Sequence, residues 1–282
     1  AVVHCAALCQ PWPASWTSQS VAHEQANVHT TACVLRGCVV GGVRRLVHIS
    51  TPSLYSSPGK ASDGAGAAGL EGVPEWCMVP SPAQQPNHYA KTKLRAEELV
   101  QSVAVEHMIS SRESQGTDGL CTVVLRPRAL FGPGDPTILP RILDSICKRR
   151  LPVIGPHTLV DLTPVDNCAH AAVLALVACP DDVHGRTFNI TNDEPVRLWA
   201  VLRSLCENLE LPAPRLQLPV AVVDCIARFL VEPTTSALQA LRLLPADFEP
   251  RLTRYAVTVL GRSCLLDSSA ARTSLGFEPP VS

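Results

Sequence analysis

The sequence has no Cys-x-x-Cys, no apolar run long enough to cross a bilayer, no excess of either charge and few aromatic residues. Each absence removes a class of protein. Twelve cysteines in 282 residues could build a disulfide or metal framework, but the nearest pairs are only Cys5/Cys9 and Cys33/Cys38. Neither spacing matches a zinc or redox motif. Cys168, Cys179, Cys206 and Cys225 each stand alone inside an apolar run. They read as small buried hydrophobes in a reducing intracellular compartment, cytoplasmic by default, with room for one exposed redox-active thiol. No metal ligand set is read. The net charge of -1 leaves no footprint for nucleic acid or an anionic membrane. The longest apolar stretches, Ala171–Cys179 and Val220–Val231, suit buried helices and not membrane spans. There is no initial Met and no signal-peptide charge pattern before "AVVHCAALC". The expectation is a chain cut from a longer one, whose targeting segment would be invisible here.

What is present is a core. Hydrophobic residues make up 46% of the chain, enough for one α/β domain of ordinary size or two small ones. Val2–Ala7 reads as a buried strand, Val21–Leu35 as a helix and Arg45–Ser50 as the next strand. Ser56–Pro86, rich in Gly, Ala, Ser and Pro, reads as a long insertion loop. Tyr89–Met108 is a strongly periodic helix, and Cys121–Arg126 is a buried strand. Helices are then expected at Thr137–Lys148, Val165–Val177, Val196–Glu207, Val220–Val231 and Ser268–Leu275, with a strand at Thr187–Thr191. Strands alternating with helices predict a parallel sheet covered on both faces. From about Pro133 the pattern turns mostly helical, as for a smaller lobe at the carboxyl edge of the sheet. Residues 1–132 would form the first domain and 133–282 the lobe, with strand 187–191 returning to the sheet.

The stretch "NHYAKTKLRAEELV" carries the chemistry. At 100° per residue, Lys93, Ala96, Val100, Val103, Ala104 and His107 share a face with Tyr89. Lys91, Arg95, Glu98 and Ser102 lie opposite. Tyr89 and Lys93 therefore head the apolar stripe, and an inward ammonium is expensive without a partner. A cation beside a phenol favours the phenolate, and a helix N-terminus pushes the same way. The expectation is a tyrosine with a lowered pKa that exchanges a proton with a substrate alcohol. Taken alone, Y-x-x-x-K is also what a helical tyrosine beside a snorkelling lysine looks like. Ser50 and Thr51 end the strand "RLVHIS". They could hydrogen-bond a substrate oxygen or simply cap a turn.

Together these motifs resemble an extended short-chain dehydrogenase/reductase, in the branch related to 3β-hydroxysteroid dehydrogenase/isomerases. "VVHCAA" is similar to that family's cofactor-lining strand V-x-H-x-A-A, and "NVHTTACVL" to its helix N-V-x-G-T-x-x-V-L. "STPSLY" is similar to the segment with the catalytic hydroxyl. "YAKTK" supplies Tyr-x-x-x-Lys, and "LRPRALFGPGD" is similar to L-R-P-x-x-x-[YF]-G-P-G-D. "LVDLTPVDNCAHA" and "TFNITNDEPV" match later signatures. The resemblance implies a Rossmann-type doubly wound parallel sheet and NAD or NADP as cofactor. It implies catalytic roles for Tyr89, Lys93, Thr51, Ser50 and Asn27. It implies cofactor contacts at His4, Ala6, Ala7, Asn27, Ser50, Tyr89, Lys93 and Pro127. Arg128 to Asp135 would border a small-molecule substrate, and a homodimer would form through the helices Val21–Leu35 and Tyr89–Met108.

Two departures are small: Thr30 replaces a helix glycine, and Pro164 stands where the family keeps a histidine. A third is large. The strand–G-x-x-G-x-x-G–helix that holds the pyrophosphate is nowhere in the chain. Gly64–Gly69 lie in a loop context and cannot replace it. At ~30 residues per βαβ unit, the expectation is roughly 60–80 residues of upstream sheet, so the doubly wound sheet would be incomplete here. The chain alone would then bind dinucleotide weakly, and a calorimetric titration showing tight NAD(P) binding would contradict this. Three functions follow. The first is an oxidoreductase acting on an apolar secondary alcohol or ketone, in keeping with "LPVAVVDCIARFLVEP". The second is a sugar-nucleotide epimerase. The third is a non-catalytic scaffold that kept the fold.

Overall fold

In the computed structural model of the protein, residues 1–9, 17–55, 70–114, 119–135, 138–245, 248, 250 and 252–281 are described. The central sheet is parallel throughout. Its strands are β1 (Val2–His4), β2 (Arg45–Ile49), β4 (Cys121–Pro127) and β9 (Arg186–Ile190), in the order β1-β2-β4-β9. Adjacent residues on these strands face opposite layers, as the pleat requires. Leu46 and Val124 pack under Leu35, Cys38 and Val100 on one face. Val47, Val123 and Leu125 pack under Ala171, Ala175, Leu275 and Phe277 on the other. A sheet covered on both faces explains why "RLVHI" and "CTVVLRP" are nearly continuous apolar runs.

The first layer consists of α1 (Thr17–His23), a π-helical turn Glu24–His29, α2 (Thr30–Val40) and α3 (His88–Ser114). The second uses α5 (Val165–Val177), α6 (Pro180–Val183) and α11 (Ser269–Leu275). A further cluster, around Ile154, Leu202, Val223 and Val257, joins helices α4 (Ile138–Cys147), α7 (Leu198–Asn208), α8 (Val220–Ile226) and α10 (Arg254–Gly261) to the paired short strands β6 (Val153–Ile154) and β11 (Gln217–Leu218). Helix α9 (Glu232–Ala240) and the strand pair β5 (Leu130–Phe131) with β8 (Thr163–Pro164) lie outside that cluster.

The remaining strands correct the sequence reading. β3 (Leu70–Val73) lies inside the expected loop 56–86 and pairs in parallel with β12 (Cys264–Leu266). β7 (Leu159–Val160) and β10 (Val196–Arg197) complete this second sheet, in the order β10-β7-β12-β3. "LEGV" has no strand periodicity and carries Gly72 at positive φ, so only its partner strand, far along the chain, makes it extended. Residues 56–69, with Gly64–Gly69, lie outside the described residues. The helix expected at Val220–Val231 continues through a π-turn, Ala227–Val231, into α9, whose proline sits harmlessly in the first turn. α10 and β12 are also absent from the sequence reading. Cys168 and Cys206 are buried as expected, but Cys179 and Cys225 are exposed: Cys179 lies beyond the end of α5, capping α6, and Cys225 stands on an outer face of α8. Among the described residues, no helix is long and apolar enough to cross a membrane. No group of three or more His, Cys, Asp or Glu there could hold a metal ion.

Candidate active site

The carboxyl ends of β1, β2 and β4 meet the N-terminus of α3. The Asn87 side chain caps that helix by accepting the Ala90 N–H at 2.8 Å. This fixes Tyr89 in the first turn and Lys93 in the next. Across from them, β2 ends at Ile49 and the chain turns through Ser50 and Thr51 into a 3-10 turn, Pro52–Tyr55. Thr51 is buried there, its hydroxyl bonded to the Ser53 side chain and backbone N–H at 3.2 Å each.

Lys93 is 3% exposed, and its ammonium donates to the Ile49 carbonyl at 2.6 Å. Burial pulls its pKa from 10.5 down to about 8, against the opposing pull of Cys9 and Glu97. The phenol goes the other way. Burial pushes Tyr89 well above the ordinary tyrosine value, with Cys9 adding to it and Thr51 opposing it. The expected lowering by Lys93 is therefore corrected for the protein without cofactor. Desolvation of the phenolate outweighs the attraction of an ammonium that is turned to a backbone carbonyl.

The other predicted residues divide into two groups. Asn27, buried, accepts the Leu8 N–H at 2.7 Å and donates to the Leu8 carbonyl at 3.2 Å and Thr92 Oγ1 at 3.0 Å. It clamps the segment after β1 to the first turns of α3. His4 bonds to Thr31 Oγ1 at 2.9 Å, and its ring lies tilted at 44° to that of His48, the centroids 5.1 Å apart. Ala6 is exposed, Ala7 half-buried and Pro127 buried, so the carboxyl edges of β1 and β4 present small apolar groups. Ser50 is not free: its hydroxyl donates to Glu97 Oε2 at 2.6 Å.

Glu97 leads to what the sequence reading missed. It is 1% exposed, forms a buried ion pair with Arg126 and accepts from Arg126 Nε at 3.2 Å. Arg126 donates to the Tyr55 hydroxyl at 2.6 Å. Tyr55 donates to Asn189 Oδ1 at 3.1 Å, and Asn189 donates to the Val73 and Asp267 carbonyls. One polar chain thus ties β2, α3, β4, β9 and the segment between β12 and α11 beneath the site. Glu97 stands one turn beyond Lys93, about 80° from Tyr89 on the helical wheel, so its burial could have been read. Tyr255 could not have been: its hydroxyl lies 3.1 Å from Ser53 Oγ, bridging 202 positions of sequence.

The family model for the 3-beta hydroxysteroid dehydrogenase/isomerase family matches residues 1–220. The uncharacterized protein YbjS of Escherichia coli (strain K12) is 31% identical over 99% of this chain and 73% of its own length. The Arabidopsis thaliana 3beta-hydroxysteroid-dehydrogenase/decarboxylase isoform 2 is 30% identical over 90% of the chain, which spans only 42% of that protein. Short-chain dehydrogenase/reductase family 42E member 1 of Mus musculus is 31% identical over 91% of the chain, which spans 62% of it. Among solved structures, UDP-glucuronic acid 4-epimerase from Bacillus cereus with NAD superposes with a TM-score of 0.64 at 19% identity, covering 100% of this chain and 69% of that one. MoeE5 with UDP-glucuronic acid and NAD gives 0.63 at 22%, covering 100% and 74%. These structural likenesses establish the shared fold.

Proposed function

The chain belongs to the 3-beta hydroxysteroid dehydrogenase/isomerase family, and from that premise we propose an NAD(P)-dependent oxidoreductase that interconverts a secondary alcohol and a ketone. The substrate is apolar, steroid- or terpenoid-like. Relatives whose names are 3beta-hydroxysteroid-dehydrogenase/decarboxylase and sterol-4-alpha-carboxylate 3-dehydrogenase support that class. The observation that carries the reading is the Lys93 ammonium buried one helical turn below Tyr89 and bonded to the Ile49 carbonyl, at the end of the strand that leads into Ser50 and Thr51.

The donor set fits a nicotinamide ribose. An ammonium has three N–H donors, and the bond to Ile49 uses one of them. The others are available to sugar hydroxyls, while Ala6, Ala7 and Pro127 offer apolar edges to a flat ring. Bound nicotinamide supplies the acceptor or donor of hydride. The protein supplies the proton. Tyr89 passes it to or from the substrate oxygen, and Thr51 orients that oxygen. A phenol held above its ordinary pKa is protonated at neutral pH, the form that donates to a carbonyl oxygen. Asn27 and Ser50 act at one remove, by holding Leu8 and Glu97.

The test uses the intact protein with 3β-hydroxysteroids and sterol ketones as probes, following the reduced cofactor by absorbance, with UDP-sugars as the epimerase control. Turnover of a sterol probe that falls by roughly 10²–10⁴-fold in Tyr89→Phe, with cofactor binding retained, is the expected result. Full activity in Tyr89→Phe overturns the assignment.

A further inference from the structure

Resting on the oxidoreductase reading, we propose that Arg128 binds a carboxylate carried by the substrate, so that the preferred substrate is an acid on an apolar skeleton and not a neutral alcohol or ketone. The central strands carry Arg45, Arg126 and Arg186, and Arg128 follows directly on β4. The first three are engaged inside the protein. Arg45 donates to the Ala175 and Ala178 carbonyls at 2.9 and 2.7 Å. Arg126 is paired with Glu97. Arg186 donates to the Asp182 carbonyl and the Ser274 hydroxyl, each at 2.8 Å. Among the described residues, the Arg128 guanidinium has no ion pair and no hydrogen bond. Its Nε is sealed from solvent without an acceptor, while both Nη groups keep open surface.

The backbone fixes where that head group stands. The Arg128 N–H donates to the Ile190 carbonyl at 3.0 Å, so the β4 ladder runs one residue past Pro127. Alternation along a strand then puts Arg128 on the same face as Arg126, the face on which α3 brings Glu97 and Lys93 to the sheet. It lies about 7 Å further toward the carboxyl edge, where open parallel sheets bind their ligands. Ala129 then turns the chain aside at φ 43, a conformation uncommon for a residue with a side chain, and its carbonyl accepts the Thr163 N–H at 3.3 Å. Arg128 is thus held by backbone bonds on both sides, one position after Pro127, which the same reading sets against the nicotinamide ring.

A guanidinium recognises a carboxylate through two parallel N–H···O bonds, and the two open Nη groups can supply both end-on. One cation suits one negative charge. Residues 127–135, "PRALFGPGD", hold no second cation, so a diphosphate would need more positive charge than this edge offers. Asp161, buried nearby enough to feel the Arg128 charge, gives its Oδ2 to the Leu266 N–H at 2.8 Å instead of pairing with it. Leu130 is half-buried and Phe131 is 42% exposed, an apolar surface beside the cation for the skeleton that bears the acid. A half-buried guanidinium without an acceptor is unfavourable, and a bound carboxylate removes that deficit.

The test gives the intact protein, at a pH where the acid is ionised, a 3β-hydroxysterol with a carboxyl group on the ring carbon beside the carbinol, the methyl ester of that acid, and the parent sterol. For the acid, kcat/KM should exceed that for the ester by at least about tenfold, chiefly through KM. Arg128→Met keeps the stem and removes the charge, so the ratio of acid to ester should collapse toward one while NAD(P) affinity holds. Arg128→Lys should recover part of the ratio. If Arg128→Met melts early, the parent's own ratio and its loss in Arg128→Gln decide. Equal use of acid and ester by the parent, a ratio that survives in Arg128→Met, or a loss of NAD(P) affinity in place of the ratio overturns the carboxylate site. Sterol turnover that Tyr89→Phe abolishes would still leave the oxidoreductase reading standing. Turnover of UDP-sugars alone, or of no probe, overturns both.

Discussion

Lys93 should cost the fold stability in exchange for its role at the site. Its pKa falls from 10.5 to about 8 because the ammonium is buried, which corresponds to about 3 kcal/mol of destabilisation of the charged form. The sign follows from linkage. Between pH 8 and 10.5 the unfolded chain holds a proton on this lysine that the folded chain has released, so stability rises with pH across that window. Below pH 8 both states are protonated and the full penalty is present. Lys93→Met removes the charge while nearly keeping the shape. It also strands the Ile49 carbonyl, whose bond to Lys93 is 2.6 Å, at a cost of about 1–2 kcal/mol. The variant should therefore be more stable than the parent by about 1–2 kcal/mol at pH 7, and inactive. Urea unfolding of both proteins at intervals from pH 7 to 10.5 measures the gap, which should close and reverse as the pH rises. A Lys93→Met protein that is less stable at pH 7, or a gap that does not change with pH, would refute the reasoning.

Glu97→Ala should be among the most damaging single changes, at about 3–5 kcal/mol. It leaves the Arg126 guanidinium and the Ser50 hydroxyl buried without their shared acceptor, and chemical denaturation will report the loss. His48 is buried with neither ring nitrogen hydrogen-bonded, and burial, with Lys93 and His4 adding to it, holds its pKa well below 6.5. The unfolded chain takes up that proton first, so the parent should lose stability as pH falls below about 6.5, by up to about 1.4 kcal/mol per pH unit for this group. His48→Phe should be flatter over the same range in thermal melts, and parallel curves would sink this account of His48.

Much of the frame was legible along the chain because it is local. The runs "RLVHI" and "CTVVLR" and the periodicity after Asn87 needed no distant partner to become strand and helix. Residues 165–177 form the helix read from them. β3 was illegible because "LEGV" becomes a strand only against Cys264–Leu266. The exposure of Cys179 and Cys225 was illegible because an apolar run states neither where its helix ends nor which side of that helix meets the core.

The candidate site divides in the same way. The sequence determined that a phenol and an amine lie one helical turn apart facing the interior, since 3.6 residues per turn requires it, and that hydroxyls end the neighbouring strand. Tertiary structure decided what those groups experience. The Lys93 ammonium turns to a backbone carbonyl and Tyr89 is desolvated. A glutamate and an arginine 29 positions apart close beneath them, and a tyrosine from α10 reaches the Ser53 hydroxyl. Solvation and through-space contact set a proton affinity, and neither is written in the order of residues along one strand or helix.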